Sequence, residues 1–449
     1  MEKKSQNQCL QNRRQFIKSV ALSTAAVAVP FYVPGKLLGM NGAVPPSEQI
    51  LLGAFGIGNR GMHCLDVFMS NPDVRFVSIC DVRRSRREEI KRMADERYGN
   101  NDCTMFRDLF EFYDANPAMD AVLIATGDRW HTMASIVAAK AGKDIFCEKP
   151  LSLTIQESRA VEVAVNRYGR VFQAGTQRRN GGNFEIAARL AHEGKLGKLT
   201  EVHANTLSPG TTHDWLPGQP EPDPNDVDWN LWLGPVPWRP FNEQYVRGGW
   251  HGFFDLHGGG ILEWGTHTVD LCQWANQSDE TVPIEYWATY NANGDKTSRV
   301  EARYENGVKL VMRDNGWLGL GSCAVRYVGE EGWVETGDSG RSEVSSDALR
   351  RELRFFGAGY GAEGHVREFL DCVKSRKKPS CNADVAAMAH IACHCAKIAW
   401  DLSPARKSAS EEGIVLNFDP VKEEFVGTGS DVDAANRLRS RAMRSPWRV

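Results

Sequence analysis

Glu263, His267 and Asp270 follow three consecutive glycines in the stretch HGGGILEWGTHTVD, residues 257–270. On a helix the i, i+4 and i+7 spacing puts all three on one face. Ile261, Leu262, Val269 and Leu271 bound that face, so the element is half buried. Three ionisable groups in such a place form either a buried polar network or an active site that handles protons. His251 and His257 lie just upstream and, with these three, supply a plausible set of metal ligands. Neither histidine stands at helical ligand spacing with His267, and no metal site is assigned.

A second set of residues lies at strand ends. ILLGAFGIGNRG, residues 50–61, runs from an apolar strand into Gly56-x-Gly58-x-x-Gly61 and then into a helical pattern through Phe68. A second strand, FVSICD, ends at Asp81, twenty residues past the last glycine. With a strand before it and a helix after it, the glycine motif is a dinucleotide-binding fingerprint. Gly56 makes the tight turn, Gly58 lets the backbone approach a pyrophosphate, and Gly61 lets helix and strand pack. Ile57, Asn59 and Arg60 complete the loop. The helix N-terminus favours the phosphates, and Asp81 is placed to accept hydrogen bonds from ribose hydroxyls. NAD is therefore the expected cofactor, with NADP kept open by Arg83 and Arg84.

Strand and helix patterns then alternate. AVLIAT (121–126), DIFCEKP (144–150) and VFQAGTQ (171–177) read as buried strands separated by helices. Such alternation builds a parallel, doubly wound sheet with ligands at the carboxyl ends of its strands. Thr126, Glu148-Lys149-Pro150 and Gln177 fall at those ends, where a nicotinamide and its substrate should meet. His131, which opens the helix after Thr126, is assigned to the cofactor with them. Downstream, EYWATYNA, RVEARYEN, GVKLVMRDN and CAVRYVGEEGWVET alternate with period two and are joined at Asn-Gly, Asn-Gly and Glu-Gly turns, the mark of antiparallel strands. A loop rich in Pro, Trp and Asp spans Ser208–Pro240, either a cleft wall or an interface arm.

The combination of GxGxxG, Asp81, EKP at 148–150 and GGG followed by G-x-H-x-x-D resembles the glucose-fructose oxidoreductase/inositol dehydrogenase (Gfo/Idh/MocA) family. The resemblance runs from about Gln49 to Phe425. It implies an α/β chain: an N-terminal Rossmann domain and a C-terminal α+β domain with a large, mostly antiparallel open sheet. One face of that sheet covers the active site, and the other serves a homo-oligomer. By motif position it makes Lys149 and His267 catalytic. His267 is the better base near neutral pH, and Lys149 would stabilise developing charge on the reacting oxygen. Glu148 contacts the cofactor. Glu263 stands where many relatives carry Asp, and is taken as a third catalytic group that orients or binds substrate. Gly127 replaces a frequent Pro. Arg178, Trp215, Trp250 and Asp270 are the expected sugar contacts, and dehydrogenation of this kind needs no Lewis acid.

The totals fit this reading. Among 449 residues, 54 basic and 57 acidic side chains leave a net charge of −3, which gives no reason to expect nucleic acid or anionic lipid as a partner. The 13 tryptophans suit a carbohydrate cleft as well as core packing, and the 11 cysteines read as buried free thiols. Asn12-Arg13-Arg14-Gln15-Phe16-Ile17-Lys18, followed by an apolar stretch broken at Pro30, resembles a twin-arginine export signal. The translocation machinery is then a partner, the destination is periplasmic, and the mature protein is not inserted in a membrane. A folded, cofactor-loaded passenger would keep its NAD. The expected segments are a leader (1–43), a Rossmann domain (44–175), a substrate and oligomerisation domain (176–425) and an arginine-rich tail (426–449). The expected function is an oxidoreductase acting on a secondary hydroxyl of a sugar, glycoside or cyclitol. The alternatives are a glycosidase or lyase working by transient oxidation, and a sugar-binding protein without turnover.

Overall fold

The computed structural model describes residues 44–353, 362–404 and 413–449. The leader and its twin arginines lie outside them. Residues Ile50–Val449 form one compact unit.

Six strands, β1 (Ile50–Ile57), β2 (Val74–Cys80), β3 (Thr104–Phe106), β4 (Ala121–Ala125), β5 (Asp144–Cys147) and β6 (Phe172–Ala174), form a sheet ordered β3-β2-β1-β4-β5-β6. Every pairing in it is parallel. The order reverses between β1 and β4, and the crevice above that point is where open α/β sheets hold ligands. The continuous apolar runs seen in the sequence follow from burial on both faces: Leu52, Leu123, Ile124, Ile145 and Phe146 are fully buried.

Nine further strands make the second sheet: β7 (Leu199–Asn205), β8 (Glu285–Tyr290), β9 (Lys296–Arg303), β10 (Lys309–Arg313), β11 (Val325–Gly329), β12 (Trp333–Thr336), β13 (Ser342–Val344), β14 (Val415–Asp419) and β15 (Glu424–Val426). They are ordered β13-β12-β11-β7-β10-β9-β8-β14-β15. Only β7 and β10 pair in parallel; the other pairings are antiparallel. The expected turns are present, with positive φ at Gly294 and Gly307 between β8, β9 and β10. Alternation sorts the faces. Val202, Ala204, Leu310 and Met312 enter a core with the helices Gly265–Ala275 and Ala383–Leu402. Glu201, His203 and Lys309 alternate with them in β7 and β10 and stay partly exposed.

Two expected boundaries differ in the fold. The helix Ala362–Ser375, placed by sequence in the second domain, completes the core of the first. Its Val366, Phe369, Leu370 and Val373 pack with Leu65, Phe68 and Phe146, because their i, i+3, i+4, i+7 spacing makes one apolar stripe. The tail is docked as well. Ala435 is fully buried in the second core, Trp447 stacks on Phe110, and Arg441 donates to Glu157 across 2.5 Å. The Ser208–Pro240 loop and the segment after it form a small core of their own, with Trp229, Trp232, Phe241 and Tyr245 buried together. Packing thus claims those tryptophans. The described cysteines are buried and unpaired, and among the described residues no helix is long and apolar enough to cross a membrane.

Candidate active site

The cofactor loop behaves as its glycines require. Gly56 has φ +67°, and a side chain there would strike Thr126, 2.2 Å away. A Cβ at Gly61 would fall 2.7 Å from that of Ala125, so its absence brings helix and strand together. A Cβ at Gly58 would meet nothing within 4 Å. That open space sits at the N-cap of the 12-residue helix Asn59–Ser70, which has no capping side chain. The N–H groups of the first turn and the helix dipole there suit a pyrophosphate.

Asp81 is buried at the end of β2. One carboxylate oxygen accepts the Ile57 N–H at 3.0 Å and the other the Arg83 N–H at 2.9 Å. It braces the loop and keeps a spare lone pair on each oxygen for ribose. Arg83 lies against Asp81 (3.6 Å) and Arg84 against Asp226 (3.5 Å). Both guanidiniums thus already face carboxylates, which weakens the case for a 2′-phosphate.

At the end of β5, Glu148 links three elements. Its Oε1 accepts from Arg60 Nε (3.0 Å), Cys64 Sγ (3.2 Å) and Gln177 Nε2 (3.2 Å). Arg60, Glu148 and Gln177 therefore meet at the crevice as expected. His131 leaves its Nε2 without a hydrogen-bond partner. Its ring is buried, with Nδ1 2.7 Å from the Pro150 carbonyl, so it supports the segment that carries Lys149. His390 does the same, accepting the Leu151 N–H at 2.7 Å. Sequence reasoning missed His390: it lies on an apolar helix, and only the fold shows what its ring meets.

Lys149 Nζ donates to Glu263 Oε1 at 2.6 Å and to the Glu263 carbonyl at 2.9 Å. The other Glu263 oxygen lies 3.3 Å from His257 Nε2. Burial alone would raise the pKa of Glu263, but the hydrogen bond from His257 and the charge of Lys149 outweigh it and keep the carboxylate ionised. His267 is buried. Burial, then the positive charges of Arg178 and Lys149, holds it well below the ordinary imidazole range, so it stands neutral. Its Nδ1 has no hydrogen-bond partner. Trp250 stacks on His251 with centroids 3.8 Å apart and meets His257 edge-on at 5.8 Å.

Other expectations change here. The helix breaks at Trp264, giving Gly260–Glu263 and Gly265–Ala275, so Glu263 and His267 lie on separate helices. Asp270 is not a substrate contact. It is buried and forms a two-pronged ion pair with Arg179 at 2.7 and 2.9 Å, with Asp279 on the same guanidinium. Arg178 is likewise engaged by Asp338, at 2.8 and 2.6 Å, and acts on His267 through its charge. Trp215 is 52% exposed in the Ser208–Pro240 loop, beside Arg239. Gly259, at φ +78°, and Gly260 pass against Leu207, Ser208 and Pro209.

Fold and site together define a two-domain protein whose first domain is built to take a dinucleotide. Residues 50–176 match the family model described as "Oxidoreductase family, NAD-binding Rossmann fold", and residues 213–449 match "Oxidoreductase family, C-terminal alpha/beta domain". The chain belongs to the Gfo/Idh/MocA oxidoreductase family, and its first domain binds NAD. It is 31% identical over 153 residues to scyllo-inositol 2-dehydrogenase (NAD(+)) of Bacillus subtilis (strain 168), covering 34% of this chain and 42% of that one. It is 30% identical over 149 residues to 2,7-anhydro-N-acetylneuraminate hydratase of Mediterraneibacter gnavus, covering 33% and 37%. The chain thus spans less than half the length of these relatives. Among solved structures, the WlbA dehydrogenase of Bordetella pertussis, in complex with NADH and UDP-GlcNAcA, superposes with a TM-score of 0.55 at 16% identity, covering 79% of this chain and 97% of that one. That likeness is one of fold.

Proposed function

We propose that this protein is an exported oxidoreductase that takes a hydride from a secondary hydroxyl-bearing carbon of a sugar, glycoside or cyclitol and keeps its NAD(H) through the cycle. The observation that carries the reading is the Lys149–Glu263 pair at the carboxyl end of β5, with neutral His267 as the nearby base. Bound NAD supplies the hydride acceptor. The chain supplies the rest. His267, uncharged, accepts the hydroxyl proton as the C–H bond gives up its hydride. Lys149 donates a hydrogen bond to the oxygen as negative charge develops on it. Glu263 fixes where that ammonium points, and Trp250 offers an apolar face for a sugar ring. The twin-arginine pattern at 12–18 supports export in the folded state, and the open face of the nine-stranded sheet suits a homo-oligomer.

A second reading is redox-neutral: transient oxidation, elimination or hydration beside the temporary ketone, then return of the hydride. The hydratase among the relatives favours keeping it. One experiment separates the two. Purified protein, shown by denaturation to contain NAD, is mixed with inositols, sugars and glycosides while reduced nicotinamide absorbance and products are followed. A stoichiometric rise, reversed by a second carbonyl compound, supports paired oxidation and reduction. Product without a net rise supports the redox-neutral cycle. Binding with neither overturns both.

A further inference from the structure

His251, His257 and Glu263 bring one ligand-type atom each within 4.8 Å of one another, the make-up of a cation site. The hydrogen bonds around His257 oppose that use. Its Nδ1 accepts two backbone N–H groups, from Gly252 and Gly259, each at 3.1 Å. A nitrogen facing two donors carries no proton, so in the neutral ring the proton is on Nε2. Histidines that bind metal through Nε2 are held the opposite way, with Nδ1–H donating to an acceptor. With its proton on Nε2, His257 can only donate, and what lies there is Glu263 Oε2.

We infer that His257 is a positioning residue: its backbone-locked Nε2–H tautomer holds one oxygen of Glu263 so that the other holds Lys149. The inference rests on the proposed function and extends it, since Lys149 would owe its aim to a histidine that never touches substrate. The chain of contacts is short: Gly252 and Gly259 N–H to His257 Nδ1, His257 Nε2–H to Glu263 Oε2, and Glu263 Oε1 to Lys149 Nζ. The charged and titratable groups around His257 are Glu263, Lys149, Asp128 and His251. Buried Asp128 accepts the Gly258 N–H at 3.4 Å, and the His251 ring lies 5.2 Å away. Those two contacts leave the Nε2–H to Glu263. The left-handed φ of Gly252 (+84°) and Gly259 (+78°) turns both amides toward the ring.

Two substitutions split the two nitrogens. In His257→Asn the amide oxygen replaces Nδ1 as acceptor for the backbone, so the loop stays satisfied, but the donor to Glu263 is gone. In His257→Gln the amide nitrogen replaces Nε2 and restores the donor. Turnover with myo-inositol or another active member of the panel is measured against pH in NAD-loaded protein, alongside acetic anhydride labelling of Lys149 read by mass spectrometry. For His257→Asn the expected results are unchanged melting and NAD content, a kcat about tenfold lower, the loss of one hydrogen bond to a charged group, and faster labelling of Lys149. With a donor lost, the Glu263 carboxylate protonates at higher pH, so the acid limb of kcat moves up. His257→Gln should recover both kcat and the limb. Equal kcat, pH profile and labelling in wild type and His257→Asn would overturn the inference. Loss of wild-type turnover on chelation, restored by zinc or manganese, would overturn it in favour of a metal. Labelling needs no substrate, so it still tests His257 if no panel compound turns over, an outcome that instead counts against the proposed function.

Discussion

At Gly58 a side chain would point into open space, whereas at Gly260 it would lie 2.4 Å from Leu207 Cβ and 2.6 Å from the Ser208 carbonyl oxygen. Both glycines stand in runs that look alike on paper, each before a helix and each beside residues able to do chemistry. The first run leaves a hollow at a helix N-terminus, and the second is filled by the protein itself. A glycine kept for a ligand is therefore told from one kept for packing by what a Cβ would meet. The same contrast divides the two sides of the cleft. The cofactor side offers the N–H groups of a helix start and room. The catalytic side is tied down by ion pairs and hydrogen bonds that hold a few side chains in one arrangement.

The largest effect expected away from the reacting groups is on the filled side. Asp270→Asn leaves Arg179 buried with half its partners, and breaking such a pair costs roughly 3–5 kcal/mol. Chemical denaturation should show that loss. Were Asp270 a sugar contact, KM would rise with stability unchanged. Acid should act on the same side. Burial holds His390 down to about 4 against an unfolded imidazole near 6.5. Between those values the unfolded chain binds more protons, so stability is full above pH ~6.5 and falls as pH drops to ~4, by up to roughly 3 kcal/mol. Thermal melts from neutral to acid should show the slope, and His390→Gln should make it shallower, with buried His267 and His365 still contributing.

The two glycines allow a direct comparison. Gly260→Ala forces Leu207 or the Ser208 carbonyl to move and should cost about 1–3 kcal/mol, read as a lower melting temperature. Gly58→Ala should leave stability within about 0.5 kcal/mol while weakening NAD binding in titration calorimetry. If both variants lose stability alike and bind NAD alike, the contrast fails.

The first domain was largely legible because its motif is local: strand, glycines, helix and Asp81 lie within one stretch, and their spacing alone implies their meeting. The antiparallel half was legible at its turns, where Asn-Gly and Glu-Gly carry their own geometry. Lys149 and Glu263 are separated by 114 positions, and only their family resemblance brought them together before the fold did. What stayed hidden was partnership. Asp270 was expected to touch the sugar, yet Arg179 arrives from a distant turn and takes it. The helix Ala362–Ser375 showed its apolar stripe but not which sheet the stripe would meet. His257 was visible as a ligand type, and its tautomer depends on two backbone amides that no spacing rule places.

The account turns on Lys149 acting on the reacting oxygen while the glycine loop and Asp81 hold the cofactor. Lys149→Met, in protein loaded with NAD, should be compared with wild type for reduction of the bound nicotinamide by the most active compound of the panel. The account predicts a rate lower by roughly 10²–10⁴-fold with NAD content and melting temperature unchanged. Reduction at the wild-type rate would contradict it.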